Sequence, residues 1–429
     1  MRYLFATFEG GGHVPPALMV AQALAAGGDE VLVLSDEANR AAAQGAGLAF
    51  TPWTSAPNRL RPGRPDDPLR VWRSAWPPDI VRSVCDGVIA GPAARYARDA
   101  LAVIERFRPD LVVANELLFG VMMAAEAANL PLALLTANVW CFPTRGDLPP
   151  FGPGFPPAAG RFAEGREQVT RRIIARLYNA GLADLNAART GLGLPPLAQA
   201  LDQLRAADLI LLGASRAFDY DRPAPPAPFA YAGPLIAEPG WATVEPPPLK
   251  GEGPLVLVSF STTFQNQARL VARCVRALSG LPVRGLVTLG PAIDPAGLPH
   301  ADNVTVVESA SHDALMAHCA AVICHAGHGT VVRPLMHGVP VVCLPTGRDQ
   351  PENAARIAWR GAGIRLPAGA GVRKIRAAAA RVLAEPSFGR SAQALGEAIR
   401  AETDGGASAA RLLAELAYFR RRTCPAPEA

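Results

Sequence analysis

Between Ala320 and Asn353 an apolar run ends at Cys324 and passes at once into a turn, His325-Ala326-Gly327-His328-Gly329-Thr330. The run reads as a buried parallel strand, and a helix is predicted to open near Thr330. A strand, a glycine turn and a helix N-terminus make a phosphate cradle: the helix start offers unpaired N–H groups and a partial positive charge, and glycine lets backbone approach an anion closely. Gly338-Val339-Pro340 then closes a tight turn into a second buried strand, which ends in Pro345, Asp349 and Gln350. Open α/β sheets bind ligands at the carboxyl ends of their strands, so the turn and the Asp-Gln pair should face one crevice.

The linked series His325-Ala326-Gly327-His328-Gly329-Thr330, Gly338-Val339-Pro340 and Asp349-Gln350-Pro351-Glu352-Asn353 resembles the nucleotide-sugar motif of family 1 glycosyltransferases of the GT-B fold. That group holds UDP-glycosyltransferases and bacterial macrolide-type natural-product enzymes. The resemblance implies an α/β protein of two Rossmann-like domains, each with a parallel sheet, facing a central cleft. The second domain would bind the donor sugar nucleotide, and the first the acceptor.

The rest of the chain fits that expectation. Apolar runs at Tyr3–Phe8, Val31–Leu34, Leu48–Phe50, Leu111–Ala114, Leu132–Leu135, Leu209–Leu212 and Phe229–Tyr231 alternate with Ala-rich helical segments. The pattern resumes at Leu255–Phe260, Gly285–Leu289, Val304–Val307, Ala321–Cys324 and Val339–Leu344. Strands alternating with helices mean parallel sheets covered on both faces. Residues 236–253, dense in Pro, Gly and Glu, read as a linker between an acceptor domain, 1–235, and a donor domain, 254–400. A last helix near 407–420 crosses back to the first domain if the resemblance holds.

Length and composition bound the alternatives. At 429 residues the chain has room for two or three domains, and with half its residues hydrophobic and 18% charged it is globular. A net charge of +5, not gathered into a basic stripe with interleaved aromatics, argues against nucleic acid as the partner and suits an anionic small ligand. Seven cysteines without a Cys-x-x-Cys pair fit a reducing cytoplasm. The longest apolar stretch, Leu111–Leu135, is broken by Asn115, Glu116, Glu126, Asn129 and Pro131, so no membrane span is expected. His325-x-x-His328 lacks the third ligand of a zinc site, so no metal is expected either.

The chemistry implied by the resemblance falls on named residues. Gly12-His13-Val14-Pro15-Pro16 matches the family's Gly-His-x-x-Pro, making His13 the general base, and imidazole titrates near neutrality as a base should. In relatives an Asp ends the Pro-Asp-Leu-Val-Val strand and holds that histidine. Here the position is Asn115, followed by Glu116. Asparagine holds a ring by a neutral bond of roughly 1 kcal/mol against about 1.5–3 for a charged one. Three explanations follow: an acidic acceptor needing little help, a charge supplied by Glu116, or a weakened enzyme. Successive strand residues point to opposite faces, so Glu116 reaches His13 only across a kink, which favours the first.

For the donor, the candidates are His325, the N–H groups of Gly327, His328, Gly329 and Thr330, the hydroxyls of Ser261 and Thr262, the backbone of Ser309 and Ala310 beside a uracil or thymine, and Asp349 with Gln350 on sugar hydroxyls. Ser311 stands where the family has proline before His312. For the acceptor, two Pro- and Gly-rich segments, 51–92 and 140–162, break the strand–helix rhythm. They hold Trp53, Trp72, Trp76, Trp140, Phe142, Phe151 and Phe155, which as a group favour a flat apolar acceptor. Arg59, Arg61, Arg64, Arg70 and Arg73 flank the first segment, usually the mark of a solvated face.

The expected reaction is inverting, metal-independent transfer of a hexose from a UDP- or dTDP-sugar to a hydroxyl of an aromatic or polyketide-like small molecule. The sugar nucleotide is the co-substrate and no other cofactor is expected. Two further readings stand beside it: a non-catalytic auxiliary partner of another transferase, and a nucleotide-sugar epimerase or hydrolase on the same fold.

Overall fold

A computed structural model describes residues 1–61, 67, 69, 72, 74, 76–237, 248–260, 264–290, 293–402 and 404–423. Two parallel sheets form its frame. The first joins β1 (Arg2–Ala6), β2 (Glu30–Ser35), β3 (Ala49–Pro52), β4 (Leu111–Asn115), β5 (Leu132–Thr136), β6 (Leu209–Leu212) and β7 (Phe229–Tyr231) in the order β3-β2-β1-β4-β5-β6-β7. The second joins β8 (Leu255–Ser259), β9 (Arg284–Thr288), β10 (Val304–Val307), β11 (Cys319–Cys324), β12 (Val341–Cys343) and β13 (Gly363–Arg365) in the order β10-β9-β8-β11-β12-β13.

The apolar runs dictate these sheets. All five residues of β4 and of β8 are buried, as a strand covered on both faces must be. In β1, Tyr3 and Phe5 face one core layer with Val14, Leu18 and Leu24 of the helix Val14–Ala26, while Leu4 and Ala6 face another with Met122 and Ala97. The last helix, Gly405–Thr423, returns to the first sheet: Ala409, Ala410, Leu413 and Ala417 lie in the same layer as Tyr3 and Phe5.

Each strand order reverses once, between β1 and β4 in the first sheet and between β8 and β11 in the second. At such a switch point neighbouring loops leave in opposite directions and open a crevice. The loop after β1 carries His13, β4 ends in Asn115, and the turn after β11 holds His325 to Gly327.

Several boundaries differ from the sequence reading. The first strand ends at Ala6, although the Thr7 N–H still donates to the Leu34 carbonyl of β2 at 3.0 Å, and the cradle helix opens at His328, two residues before Thr330. β13 escaped notice because it has three residues and starts with glycine; a Cβ on Gly363 would lie 1.9 Å from the Val341 carbonyl oxygen, so close strand contact requires that glycine. Segment 51–92 is not loop throughout: Pro77–Val84 is a helix, extended by a wider turn over Cys85–Ile89.

The two halves are locked together through the helix Gln350–Trp359. Arg356 donates from Nε to Asp219 Oδ1 at 2.8 Å and lies 2.7 Å from the same oxygen through Nη2, both side chains being almost fully buried. Tyr231 Oη donates to Asp219 Oδ2 at 2.7 Å. Burial raises the Asp219 pKa, but Arg356 and these hydrogen bonds outweigh it, so the carboxyl lies below the usual range. One turn earlier, Glu352 Oε1 accepts the N–H groups of Gly152 and Gly154 at 2.9 and 2.7 Å, and Arg365 donates to the carbonyls of Pro153 and Gly154. Gly154 has φ +62°, and a Cβ there would lie 2.2 Å from the Pro351 carbonyl oxygen.

Breaking a buried pair on one side leaves an uncompensated charge, at a cost of about 3–5 kcal/mol. Arg356→Ala should therefore lower the thermal midpoint and expose segment 151–155 to limited proteolysis, while replacement of the exposed Arg411 leaves both unchanged. Equal proteolysis of Arg356→Ala and wild type would refute the lock.

Candidate active site

The glycine loop after β1 is held by two carboxylates that accept backbone N–H groups. Asp36, at the end of β2, accepts the N–H groups of Glu9 and Arg59 at 2.7 and 2.6 Å, and Glu9 Oε1 accepts the N–H of Gly11 at 3.0 Å. Gly11 has φ +78°, a conformation that favours glycine. A Cβ on Gly10 would meet His13 Cδ2 at 2.7 Å, so this glycine leaves room for the imidazole. His13 stands at the helix start, stacked on Phe8 with ring centres 5.5 Å apart. Burial, and then the nearby Arg348 charge, push its pKa down to about 4.

Asn115 meets His13 directly: its Nδ2 is 3.3 Å from His13 Nδ1, and its Oδ1 accepts the Leu117 N–H at 3.0 Å. The chain turns at Glu116, but the carboxyl goes elsewhere. Burial raises its pKa to about 7, with Asp349 adding in the same direction. The second explanation for Asn115, a charge lent by Glu116 to His13, therefore finds no contact to carry it.

In the cradle, Gly327 takes the N-cap position with extended backbone, and the amides of His328 and Gly329 open the helix His328–Met336. Thr330 Oγ1 is turned inward, donating to the Gly327 carbonyl at 2.7 Å. A Cβ on Gly327 would come 2.6 Å from His325 Nε2. His325 is buried and stacks on Phe260, and burial, followed by Arg348, holds its pKa near 4. The His328 ring leaves the cradle and packs edge-on against Phe218 of the other domain, so only its backbone N–H belongs to the turn.

Asp349 caps the next helix and holds Asn353 Nδ2 at 2.7 Å; burial raises its pKa. Gln350 Oε1 accepts from Thr346 N, Thr346 Oγ1 and Gly347 N, and its Nε2 donates to Gln265 at 2.8 Å, so it fixes the turn that presents Asp349. Between them and the first domain stands Arg348, overlooked in the sequence although it adjoins the motif. With φ +56° it reaches across the crevice, 3.4 Å from the Gly10 carbonyl and 3.8 Å from Asp67.

Ser309 and Ala310 follow β10 at the same sheet edge. Ser311 caps the helix His312–Met316 by accepting the Ala314 N–H at 3.2 Å, which explains a serine in proline's place, and His312 Nε2 is tied to Thr288 Oγ1 at 3.1 Å. Ser261 and Thr262 lie outside the described residues, as do Arg64, Arg70 and Arg73.

The acceptor expectation needs correction at three of the seven rings named for it. Trp53, Trp140 and Phe142 are core side chains: Trp53 donates to the Thr7 carbonyl and packs on Tyr96, while Trp140 and Phe142 pack with Phe229, Phe119 and Tyr178. Trp76 is 65% exposed at a helix start. Apolar spacing identified these rings but could not distinguish a wall from a core. Arg59 is likewise buried, donating to the Glu9 carbonyl at 2.7 Å. Trp72, by contrast, reaches the other half, edge-on to Phe264 at 5.5 Å.

Residues 291–414 match the family model described as erythromycin biosynthesis protein CIII-like, C-terminal domain. Over 402 residues the chain is 31% identical to 4'-demethylrebeccamycin synthase of Lentzea aerocolonigenes, covering 90% of this chain and 93% of that one. Its fold is similar to the glycotransferase of kitacinnamycin, with TM-score 0.73, 21% identity and 97% and 98% of the two chains covered. It is also similar to the Streptomyces sp. SF2575 glycosyltransferase SsfS6 complexed with thymidine diphosphate, with TM-score 0.62, 21% identity and 97% and 99% covered. The chain, an enzyme, thus belongs to the family 1 glycosyltransferases of GT-B fold, the group of bacterial natural-product glycosyltransferases.

Proposed function

We propose that this enzyme carries out inverting, metal-independent transfer of a hexose from a UDP- or dTDP-sugar to a hydroxyl group, phenolic ones included, of an aromatic or polyketide-like small molecule. The observation that carries the reading is the meeting of two switch-point loops, His13 after β1 and the cradle after β11, across a crevice spanned by Arg348. The diphosphate lies on the amides of Gly327, His328 and Gly329, with His325 as a further donor and the Arg348 guanidinium as a nearby positive charge. Asp349 takes sugar hydroxyls with the lone pairs that Asn353 leaves it. Ser309 and Ala310 meet the base, and a thymidine diphosphate complex exists for a fold neighbour.

The acceptor approaches from the side of the first domain, against His13, opposite the bond to the diphosphate. A single displacement from that side inverts the anomeric centre. Helix N-terminus, His325 and Arg348 supply the positive potential that a metal ion supplies to leaving diphosphates elsewhere, and no group of three His, Cys, Asp or Glu placed to hold a metal ion occurs among the described residues. The reaction needs no cofactor besides the sugar nucleotide.

Incubation with UDP-glucose and dTDP-glucose and a panel of phenols and alcohols tests the reading. Nucleotide release should accompany a product of inverted anomeric configuration and persist in excess EDTA; loss of transfer on chelation would refute metal independence, and a retained configuration would refute direct displacement. Gly327→Ala should weaken stabilisation by UDP or dTDP by tenfold or more in Kd, about 1.4 kcal/mol, since its methyl group displaces His325. Nucleotide binding without turnover on any acceptor would point instead to the auxiliary-partner reading.

A further inference from the structure

Asn115 does more than lack a charge. Its side-chain oxygen is already committed to the Leu117 N–H at 3.0 Å, inside a turn closed by the Leu118 N–H on the Asn115 carbonyl at 3.0 Å. Turning the amide over would set an NH2 group against that N–H, donor against donor. The end left to face His13 is therefore the NH2, 3.3 Å from Nδ1. A donor needs a lone pair, so Nδ1 is bare, and the one hydrogen of a neutral imidazole sits on Nε2. An aspartate would act in the opposite sense: its oxygens would accept both the Leu117 N–H and an Nδ1–H, leaving the Nε2 lone pair for a substrate proton.

We infer that Asn115 is a positioning residue that fixes His13 with its proton on Nε2, so that His13 meets the acceptor as a hydrogen-bond donor and the enzyme takes acceptors whose attacking atom arrives already ionised. This rests on the transferase reading above and names its substrate class: phenols, enols and N–H or O–H groups of comparable acidity. The acceptor loses its proton to solvent before attack. A lone pair of the anionic atom then forms the bond to the anomeric carbon, the carbon–oxygen bond to the diphosphate breaks, and its electron pair leaves with the diphosphate. No proton passes to His13.

The surroundings agree. Among the described residues, the charged groups about His13 are Glu9 on its own loop, Asp36 and Arg59 bonded to that loop, Asp67 and Arg348 at the crevice, and Glu116 and Asp349 beyond. Burial and the Arg348 charge keep the imidazole neutral, and Arg348 also favours an anion beside it.

The tautomer is read directly by proton–nitrogen NMR of protein carrying 15N-labelled histidine, with the His13 signals assigned by their loss in His13→Ala. Wild type should show a bare Nδ1 and a protonated Nε2, unchanged from about pH 8 to about pH 5.5. Asn115→Asp should move the proton to Nδ1 and raise the His13 pKa. A wild-type His13 protonated on Nδ1 would overturn the inference, whether or not the variant folds. With UDP-glucose or dTDP-glucose, wild-type transfer should follow the ionised fraction of graded phenols, and Asn115→Asp should gain on the order of tenfold or more for aliphatic alcohols. Wild-type transfer to alcohols as fast as to phenols would also overturn it. Failure of both nucleotides to bind would remove the transferase reading, and the acceptor class with it, while the NMR result would still decide the tautomer.

Discussion

The two halves meet through one helix, Gln350–Trp359, whose buried face carries charge. Arg356 and Glu352 are both nearly fully buried, and they reach across to Asp219 and to the amides of Gly152 and Gly154. A buried ion pair is weak evidence for stability when set against a well-packed apolar contact, but it is geometrically demanding. Here it fixes the angle at which the second sheet faces the first. Asp349, the N-cap of that same helix, is presented to the crevice by the element that holds the halves together. Donor recognition and domain orientation are thus one mechanical unit.

Electrostatics in the crevice follow from the same proximity. Burial depresses both His13 and His325, and Arg348, which stands near both, works in the same direction, so neither imidazole competes with it as a cation near neutrality. Glu116 and Asp349 are both raised by burial. The site therefore presents neutral imidazoles and weakened carboxylates around the Arg348 guanidinium. A diphosphate entering such a site meets a buried positive charge, in surroundings where electrostatic attraction is strong.

Much of this was legible in the sequence because buried parallel strands announce themselves as unbroken apolar runs, and because a cradle for phosphate needs glycines at fixed spacing. Twelve of the thirteen strands answer to such runs; β13 is too short to make one. The cradle turn, His13 and the departure at Asn115 were all visible as letters. The acceptor side was not. Trp53, Trp140 and Phe142 sit in irregular, proline-rich segments, as pocket residues do, yet the segments fold back and bury them, and composition carries no information on which face of a loop a ring takes. Arg348 and Glu352 were missed for a related reason: their significance lies in contacts to Gly10, Gly152 and Gly154, two to three hundred residues away, which no local spacing records.

What Asn115 changes is best judged against that field. An aspartate there would add a further carboxylate beside Glu116 and Asp349, and like charges in a desolvated site oppose one another's ionisation. Part of its charge would be spent in raising its neighbours, and Glu116, already near neutrality in its pKa, would take up a proton. Asparagine avoids that coupling and keeps the loop geometry, since the Leu117 N–H finds an oxygen either way. The loss falls on His13 alone, which gives up the lone pair that faces the substrate. A site arranged like this does not need a strong base if the acceptor brings its own negative charge, and the guanidinium of Arg348 is placed to welcome one.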